Sequence, residues 1–324
     1  MKAIRCKEFG PPSSLVLEEM PGLKPKAKEV VVQVKACGIN FPDTLIIQGL
    51  YQFKPELPFT PGSDIAGVVK EVGDEVKHLA VGDEVFGFVF SGGFAEEVVV
   101  PSNTCFLKSE KMNFPIAASF MVAYGTSYHA LKDRAKLAKG ETLLVLGASG
   151  GVGLAAVELG KLMGAKVIAA ASSEEKLELC REYGADQTIN YSKEDLKSEI
   201  KKLTDNKGVD VIYDPVGGEY SEAAFRGIAW EGRYLVVGFA SGTIPKMPLN
   251  LPLLKTASLV GVFWGDFAMR KPKVNMENTR TLMKWYDEGR IKPHIHKTYE
   301  LKETPWALEE IMNRKVRGKL VIEV

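Results

Sequence analysis

Gly147-Ala148-Ser149-Gly150-Gly151-Val152-Gly153 is the stretch whose residue types and spacing point most directly to chemistry. It lies between an apolar run, Thr142-Leu143-Leu144-Val145-Leu146, and residues 154–163, whose apolar positions recur at helical spacing. A strand, a glycine turn and a helix N-terminus together offer main-chain N–H groups and a positive dipole end to a diphosphate. Glycine permits the tight turn and the close approach of the ligand. The spacing is not the plain G-x-G-x-x-G: it reads as A-x-x-G-x-x-G, with Ala148, Gly151 and Gly153 offset by one, or as G-x-x-G-x-x-G from Gly147 through Gly150 to Gly153. Its place in a strand–turn–helix–strand unit favours a dinucleotide site over a purely structural turn. Ser149, Gly150, Gly151, Val152 and Gly153 are the expected contacts.

The end of the following strand, Lys166-Val167-Ile168-Ala169-Ala170-Ala171, bears on which dinucleotide binds. NAD sites usually place an acid there, about 20 residues after the glycines, to hold the ribose 2′-OH. Here the strand ends at Ala171-Ser172-Ser173, and two hydroxyls at a helix start suit a 2′-phosphate. Lys176 adds a positive charge. The rival readings are a return of Glu174 or Glu175 to the ribose, and serines that merely cap the helix. NADPH is the expected cofactor.

The elements that must hold these residues change character along the chain. Up to about residue 110, strand-like runs such as Glu29-Val30-Val31-Val32-Gln33-Val34 and Ala66-Gly67-Val68-Val69-Lys70-Glu71-Val72 are punctuated by Gly and Pro. A small barrel or sandwich is expected there. Beyond Phe114-Pro115, strands and helices alternate: strands at 142–146, 166–171, 186–189, 209–213, 232–238 and 258–262, with helices at 154–163 and 174–183 between the first of them. That rhythm predicts a parallel sheet with helices on both faces. The last part predicts a helix over 275–288, a strand over 296–301, a helix over 304–313 capped by Thr304, and a closing strand over 319–324. The expected division is residues 1–122, residues 123–265, and a segment 266–324 that returns to the first domain.

At 324 residues the chain exceeds one ordinary core, so two domains are expected. With 45% hydrophobic and 26% charged residues it has a soluble composition, and a net charge of +1 gives no global field for nucleic acid. Cys6, Cys37, Cys105 and Cys180 are too scattered for a zinc-type cluster. No signal-like leader or long apolar run is read, so a cytoplasmic protein is expected.

From Met1 to Val324 the chain resembles the medium-chain dehydrogenase/reductase superfamily, in its zinc-free NADPH:quinone oxidoreductase branch. The resemblance rests on Ala36-Cys37-Gly38-Ile39-Asn40-Phe41-Pro42-Asp43, Gly49-Leu50-Tyr51, Pro61-Gly62-Ser63-Asp64-Ile65-Ala66-Gly67-Val68-Val69, the glycine loop, Gly184-Ala185-Asp186, Ile189-Asn190-Tyr191 and Gly318-Lys319. It implies an α/β fold: a Rossmann-type doubly wound parallel sheet plus a GroES-like β-barrel catalytic domain. Where zinc-dependent relatives carry a His–Glu pair, this chain has Ser63-Asp64, so the resemblance implies no metal. It implies that Asn40 approaches the acceptor and the nicotinamide ribose, and that Tyr51 lies over the pocket. It places Thr126 near the carboxamide, Ser172, Lys176, Tyr191 and Arg314 around the 2′-phosphate, and Gly238, Phe239, Ala240, Val262, Phe263 and Trp264 at the nicotinamide end. Relatives commonly dimerise through an edge strand, here expected from Ser258 to Trp264, so a homodimer is expected.

Hydride transfer to an electron-poor carbon leaves negative charge on an oxygen, which needs donors or a proton. Asn40 offers an amide and Tyr51 a hydroxyl. Each has a plainer role: Asn40 in its own turn, Tyr51 as a surface aromatic, Asp43 as a cap or ion pair, Phe263 and Trp264 as core. The expected activity is reduction of quinones or α,β-unsaturated carbonyls. The alternatives are a 2-enoyl thioester reductase and a non-catalytic NADPH-binding protein. His294 and His296 share one strand face but lack a metal-like set of neighbours.

Overall fold

The β-branched run at Glu29 continues as extended chain to Ile39 and becomes the spine of one of two units. A computed structural model describes residues 1–324; one unit comprises residues 1–122 and 293–324, the other residues 123–292. In the first unit, β1 (Lys2–Arg5) and β2 (Val16–Glu19) form an antiparallel pair. β3 (Glu29–Ile39) leads into α1 (Phe41–Ile46), with Asn40 at the N-cap and Pro42 in the first turn. β4 (Asp64–Val72), β5 (Glu84–Phe88), β6 (Glu97–Pro101) and β7 (Cys105–Leu107) follow. α2 (Phe114–Ala118) is capped by the side chain of Asn113, and α3 (Met121–Tyr128) runs on into the second unit.

In the second unit the predicted alternation is realised. β8 (Thr142–Leu146), α4 (Gly151–Leu162), β9 (Lys166–Ala171), α5 (Glu174–Glu182) and β10 (Gln187–Asn190) form its first half. α6 (Leu196–Leu203), β11 (Val209–Asp214), α7 (Glu219–Phe225), β12 (Ile228–Val236), α8 (Asn250–Lys255) and β13 (Ser258–Gly261) complete the sheet. All six strands are parallel, in the order β10-β9-β8-β11-β12-β13. Leu143, Leu144, Val145 and Leu146 are wholly buried, as expected of a central strand covered on both faces. The strand order reverses between β8 and β11, and ligands of such sheets bind outside the carboxyl ends at that reversal.

α9 (Trp264–Arg270) and α10 (Pro272–Asp287) also belong to this second unit, whereas residues 266–324 were all expected with the first. The reason is polar as well as apolar. Asn278 of α10 donates to Asp133 and accepts from Lys132, Asn275 accepts from the Trp264 indole, and Leu282 is buried. The edge strand is also shorter than predicted: it ends at Gly261, and Trp264 opens a helix.

The chain returns to the first unit with β14 (Ile295–Glu300), α11 (Thr304–Met312) and β15 (Lys319–Glu323). Thr304 does not cap α11: its hydroxyl turns back to the Leu301 carbonyl, because a short turn at Leu301–Glu303 precedes the helix. β15 lies between β14 and β3, giving the sheet order β14-β15-β3-β4-β5-β7, with β6 also on β3. No helix is long and apolar enough to cross a membrane.

Candidate functional site

The residues singled out by sequence fall into two groups, one in each unit. In the second unit, the glycine loop leaves β8 and enters α4 with Gly150 at the N-cap in extended conformation. Glycine brings no side chain to cap the helix, so the first N–H groups of α4 keep their capacity to donate. Gly153 has no room for a side chain: a Cβ there lies 2.2 Å from the Gly147 carbonyl oxygen and 2.9 Å from the Ala148 Cα. Ser149 is buried. The loop is held from below by Ser127, one residue after Thr126 on α3. Its hydroxyl donates to the Val152 carbonyl at 2.8 Å and shares a 2.9 Å hydrogen bond with Tyr213 of β11. Sequence reasoning missed this brace, since its partners lie on three separate elements.

Two further loops reach the same reversal point. Asp214 ends β11 fully hydrogen-bonded: it accepts from the Val216 and Gly217 amides, from Ser221, and from Tyr234. The loop it holds packs on Gly238, Phe239 and Ala240, with the Ala240 amide donating to the Pro215 carbonyl at 3.0 Å. Val262 is buried and Phe263 half exposed, while Trp264 packs against Gly125 and donates its indole N–H to Asn275. The Trp264 ring therefore does core work.

At the end of β9, Lys176 Nζ donates to Ser172 Oγ at 3.2 Å, and Ser173 caps α5 by accepting from the Lys176 amide. Glu174 is drawn to Arg181 at 2.5 Å. The Tyr191 ring packs on Tyr220 with centroids 4.3 Å apart, and its amide donates to the Ala171 carbonyl. Ser172, Lys176 and Tyr191 thus gather at one strand end. Arg314 belongs to the first unit, just past α11 in left-handed backbone with φ 57°. A cradle that only glycine fits, at the reversal point of a parallel sheet, suits a nicotinamide dinucleotide.

The second group surrounds Asn40. The register of β15 on β3 pairs Leu320 with Ile39, so Lys319 lies beside Asn40. The register of β4 on β3 pairs Asp64 with Gly38. Lys319 is buried; its ammonium donates to the Ile39 carbonyl at 2.8 Å and to Asn40 Oδ1, and lies 3.7 Å from Asp64 Oδ2. Asp43 accepts the Asn40 amide at 2.7 Å and so serves as the cap expected of it. Asn40 Nδ2 lies 3.5 Å from the Gly38 carbonyl, a weak contact, and Asn40 and Asp43 face each other as a capping box at the start of α1. One oxygen each of Asp43 and Asp64 is buried without a partner.

Burial pushes both carboxyls up to about 7; Lys319 draws both back, the Asn40 amide also holds Asp43 down, and the Asn40 side chain Asp64. Burial in turn lowers Lys319, and the two acids raise it back. Two acids and one ammonium in a closed space leave one acid favouring its proton near neutrality. Tyr51 is half-buried against this core, and its phenol is raised by burial and by the charge of Asp43, so it stays protonated. Lys319 and Asp64 were not anticipated as site residues: Gly318-Lys319 and Ser63-Asp64 were visible only as points of resemblance.

The residues do not fit a catalytic zinc. Cys37 is buried, with its thiol driven well up by burial, and sits against Ile65 and Gly93. No group of three His, Cys, Asp or Glu side chains is placed to hold a metal ion.

Residues 26–110 match the family described as the alcohol dehydrogenase GroES-like domain, and residues 151–284 that described as zinc-binding dehydrogenase. The chain is 41% identical over 325 residues to a quinone oxidoreductase-like protein 2 homolog of Nematostella vectensis, covering 99% of this chain and 88% of that protein. Among solved structures, the Escherichia coli quinone oxidoreductase complexed with NADPH has a TM-score of 0.95 at 29% identity, covering 100% of both chains. The CurK enoyl reductase has a TM-score of 0.90 at 27% identity, covering 99% of this chain and 98% of its own. The glycine cradle, the strand order and these matches agree: the chain belongs to the medium-chain dehydrogenase/reductase superfamily, in its zinc-free quinone oxidoreductase branch.

Proposed function

We propose that this protein is an NADPH-dependent, zinc-independent reductase that passes hydride to quinones or α,β-unsaturated carbonyls. The observation that carries this reading is the glycine turn at Gly147–Gly153, closed to a side chain at Gly147 and Gly153 and set where β8 and β11 part. Bound NADPH would supply a hydride, one proton with two electrons; a proton from water completes the reduced acceptor. The glycine-loop amides and the start of α4 hold the diphosphate. Thr126, Gly238, Phe239, Ala240, Val262 and Phe263 border the nicotinamide end. Asn40 and the protonated Tyr51 donate to the acceptor oxygen as charge grows there. Ser63-Asp64 in place of a His–Glu pair supports chemistry without zinc.

The choice of NADPH rests on Ser172, Lys176 and Tyr191, and on the engagement of Glu174 with Arg181, away from a ribose 2′-OH. Arg314 is a further phosphate partner in this reading. Lys176→Ala is expected to raise the NADPH KM about tenfold, close to 1.4 kcal/mol, and to leave the NADH KM unchanged. Equal effects on both cofactors would remove the 2′-phosphate from this place.

A panel of quinones, enones and enoyl thioesters, followed by loss of NADPH absorbance, tests the activity. Turnover of quinones or enones is expected. Faster turnover of enoyl thioesters would move the protein to the second class, to which the likeness to CurK enoyl reductase points. Tight NADPH binding with no acceptor reduced would make it a binding protein.

The edge strand β13 carries a half-exposed Leu259, which supports a homodimer; a single-chain mass in light scattering at micromolar concentration would count against it. Four buried, unpaired thiols support a reducing compartment such as the cytoplasm, which localisation of a tagged chain checks.

A further inference from the structure

We propose that Lys319 is a positioning residue that makes Asn40 an obligate hydrogen-bond donor, and so selects ligands that present an acceptor oxygen at that point. The inference rests on the reading of Asn40 as an acceptor-side residue. A primary amide is ambiguous: rotated by half a turn, it offers either its oxygen or its N–H₂. The ammonium of Lys319 removes the ambiguity here. It donates to Asn40 Oδ1 and to the Ile39 carbonyl, with Asp64 Oδ2 at 3.7 Å in the third direction. An ammonium has three donors and no acceptor, so the flipped amide would set N–H₂ against N–H₃⁺.

The position of Lys319 is itself fixed. It begins β15 beside the end of β3, its own amide donates to the His294 carbonyl at 2.9 Å, and Gly38, paired with Val321, carries no side chain that would crowd the ammonium. A Cβ on Gly38 would meet the Ala118 carbonyl at 2.1 Å and stand 3.4 Å from Lys319 Nζ. With its oxygen taken, what Asn40 can turn to a ligand is its N–H₂, which in the free protein lies 3.5 Å from the Gly38 carbonyl and also holds Asp64. A carbonyl or quinone oxygen fits that donor; a ligand offering a donor of its own does not. The titratable groups that face the ammonium are Asp43 from α1, Asp64 from β4 and the Cys37 thiol from β3.

The test is a double-mutant cycle with Lys319→Met, Asn40→Ala and the pair, read as kcat/KM for the best acceptor. Lys319→Met is expected to lower kcat/KM about 10–100-fold in the wild-type background and by less than about twofold once Asn40 is alanine. Equal losses in both backgrounds would make Lys319 merely structural. Asn40→Asp keeps an oxygen for the ammonium, removes the donor, and supplies the test if Lys319→Met does not fold. It is expected to lose about 100-fold in kcat/KM, and retained turnover would overturn the proposal.

A readout independent of activity is the side-chain amide resonance of Asn40 in protein labelled at asparagine, assigned by its loss in Asn40→Ala. It is expected to be slowly exchanging in the wild type and to lose that protection in Lys319→Met. No change there would refute the positioning role even if no acceptor is turned over, whereas a change with no turnover would refute only the proposed activity.

Discussion

Gly153→Val is expected to weaken NADPH binding by about 300-fold, or some 3–4 kcal/mol, while the protein remains folded. The first added carbon alone would sit 2.2 Å from the Gly147 carbonyl oxygen and 2.9 Å from the Ala148 Cα, both backbone atoms that cannot rotate away. The loop must therefore lift off the start of α4 by an ångström or more. That displaces the amides that cradle a diphosphate, and two or three charge-assisted hydrogen bonds at about 1.5 kcal/mol each give the stated loss. The backbone at 153 is not left-handed, so the loss would come from the occupied space and not from strain. Calorimetric titration with NADPH measures it, with circular dichroism as the check on folding. Binding within threefold of the wild type would show that the diphosphate does not lie on this loop.

The second large effect concerns the buried acids. Lys319→Met is expected to cost about 3–5 kcal/mol of folding stability at pH 8, as removal of one partner from a buried ionic group does. The loss shrinks at pH 6, because protonation of Asp43 and Asp64 relieves the uncompensated charge. The wild type has the same trend in milder form. An acid whose folded pKa is about 7 and whose unfolded value is 3.8 binds more protons folded than unfolded between the two. Its contribution to stability is present below pH 4, falls as pH rises toward 7, and falls no further above it. One such group weakens folding by on the order of 1 kcal/mol between pH 6 and pH 8. Lys319 acts in the opposite sense, between its lowered folded value and the ordinary lysine range. Urea midpoints of wild type, Lys319→Met and Asp64→Asn across this range check the claim. Asp64→Asn is expected to flatten the slope, and a wild type that grows more stable from pH 6 to pH 8 would contradict it.

What could be read from the residue order follows from range. The strands at 142–146 and 166–171 were legible to the residue because each, after one polar opening residue, is an apolar run buried on both faces. The glycine loop was legible because strand, turn and helix are adjacent in sequence. Thr304 was misread because a threonine before proline looks like a cap, and only the preceding turn at Leu301–Glu303 redirects its hydroxyl. Trp264 was read as strand and lining, yet a residue eleven positions on, Asn275, claims its indole. Lys319 lay furthest out of reach. Its partner Asn40 is 279 residues away, and nothing local marks a lysine that will be buried. Arg314 and the Ser172–Lys176 pair fall in different units, so their shared role stays a proposal.

The interruption of the first unit by residues 123–292 has a consequence for how the molecule comes into being. On the ribosome, the whole parallel sheet emerges before β15 exists, so it is free to fold while its neighbour still lacks a central strand. Until that late segment arrives, Asp43 and Asp64 lack the Lys319 ammonium and residues 36–39 of β3 lack β15. Chains interrupted after residue 292 should therefore hold a finished glycine loop and an incomplete, aggregation-prone first unit, which makes that unit the natural client for chaperones.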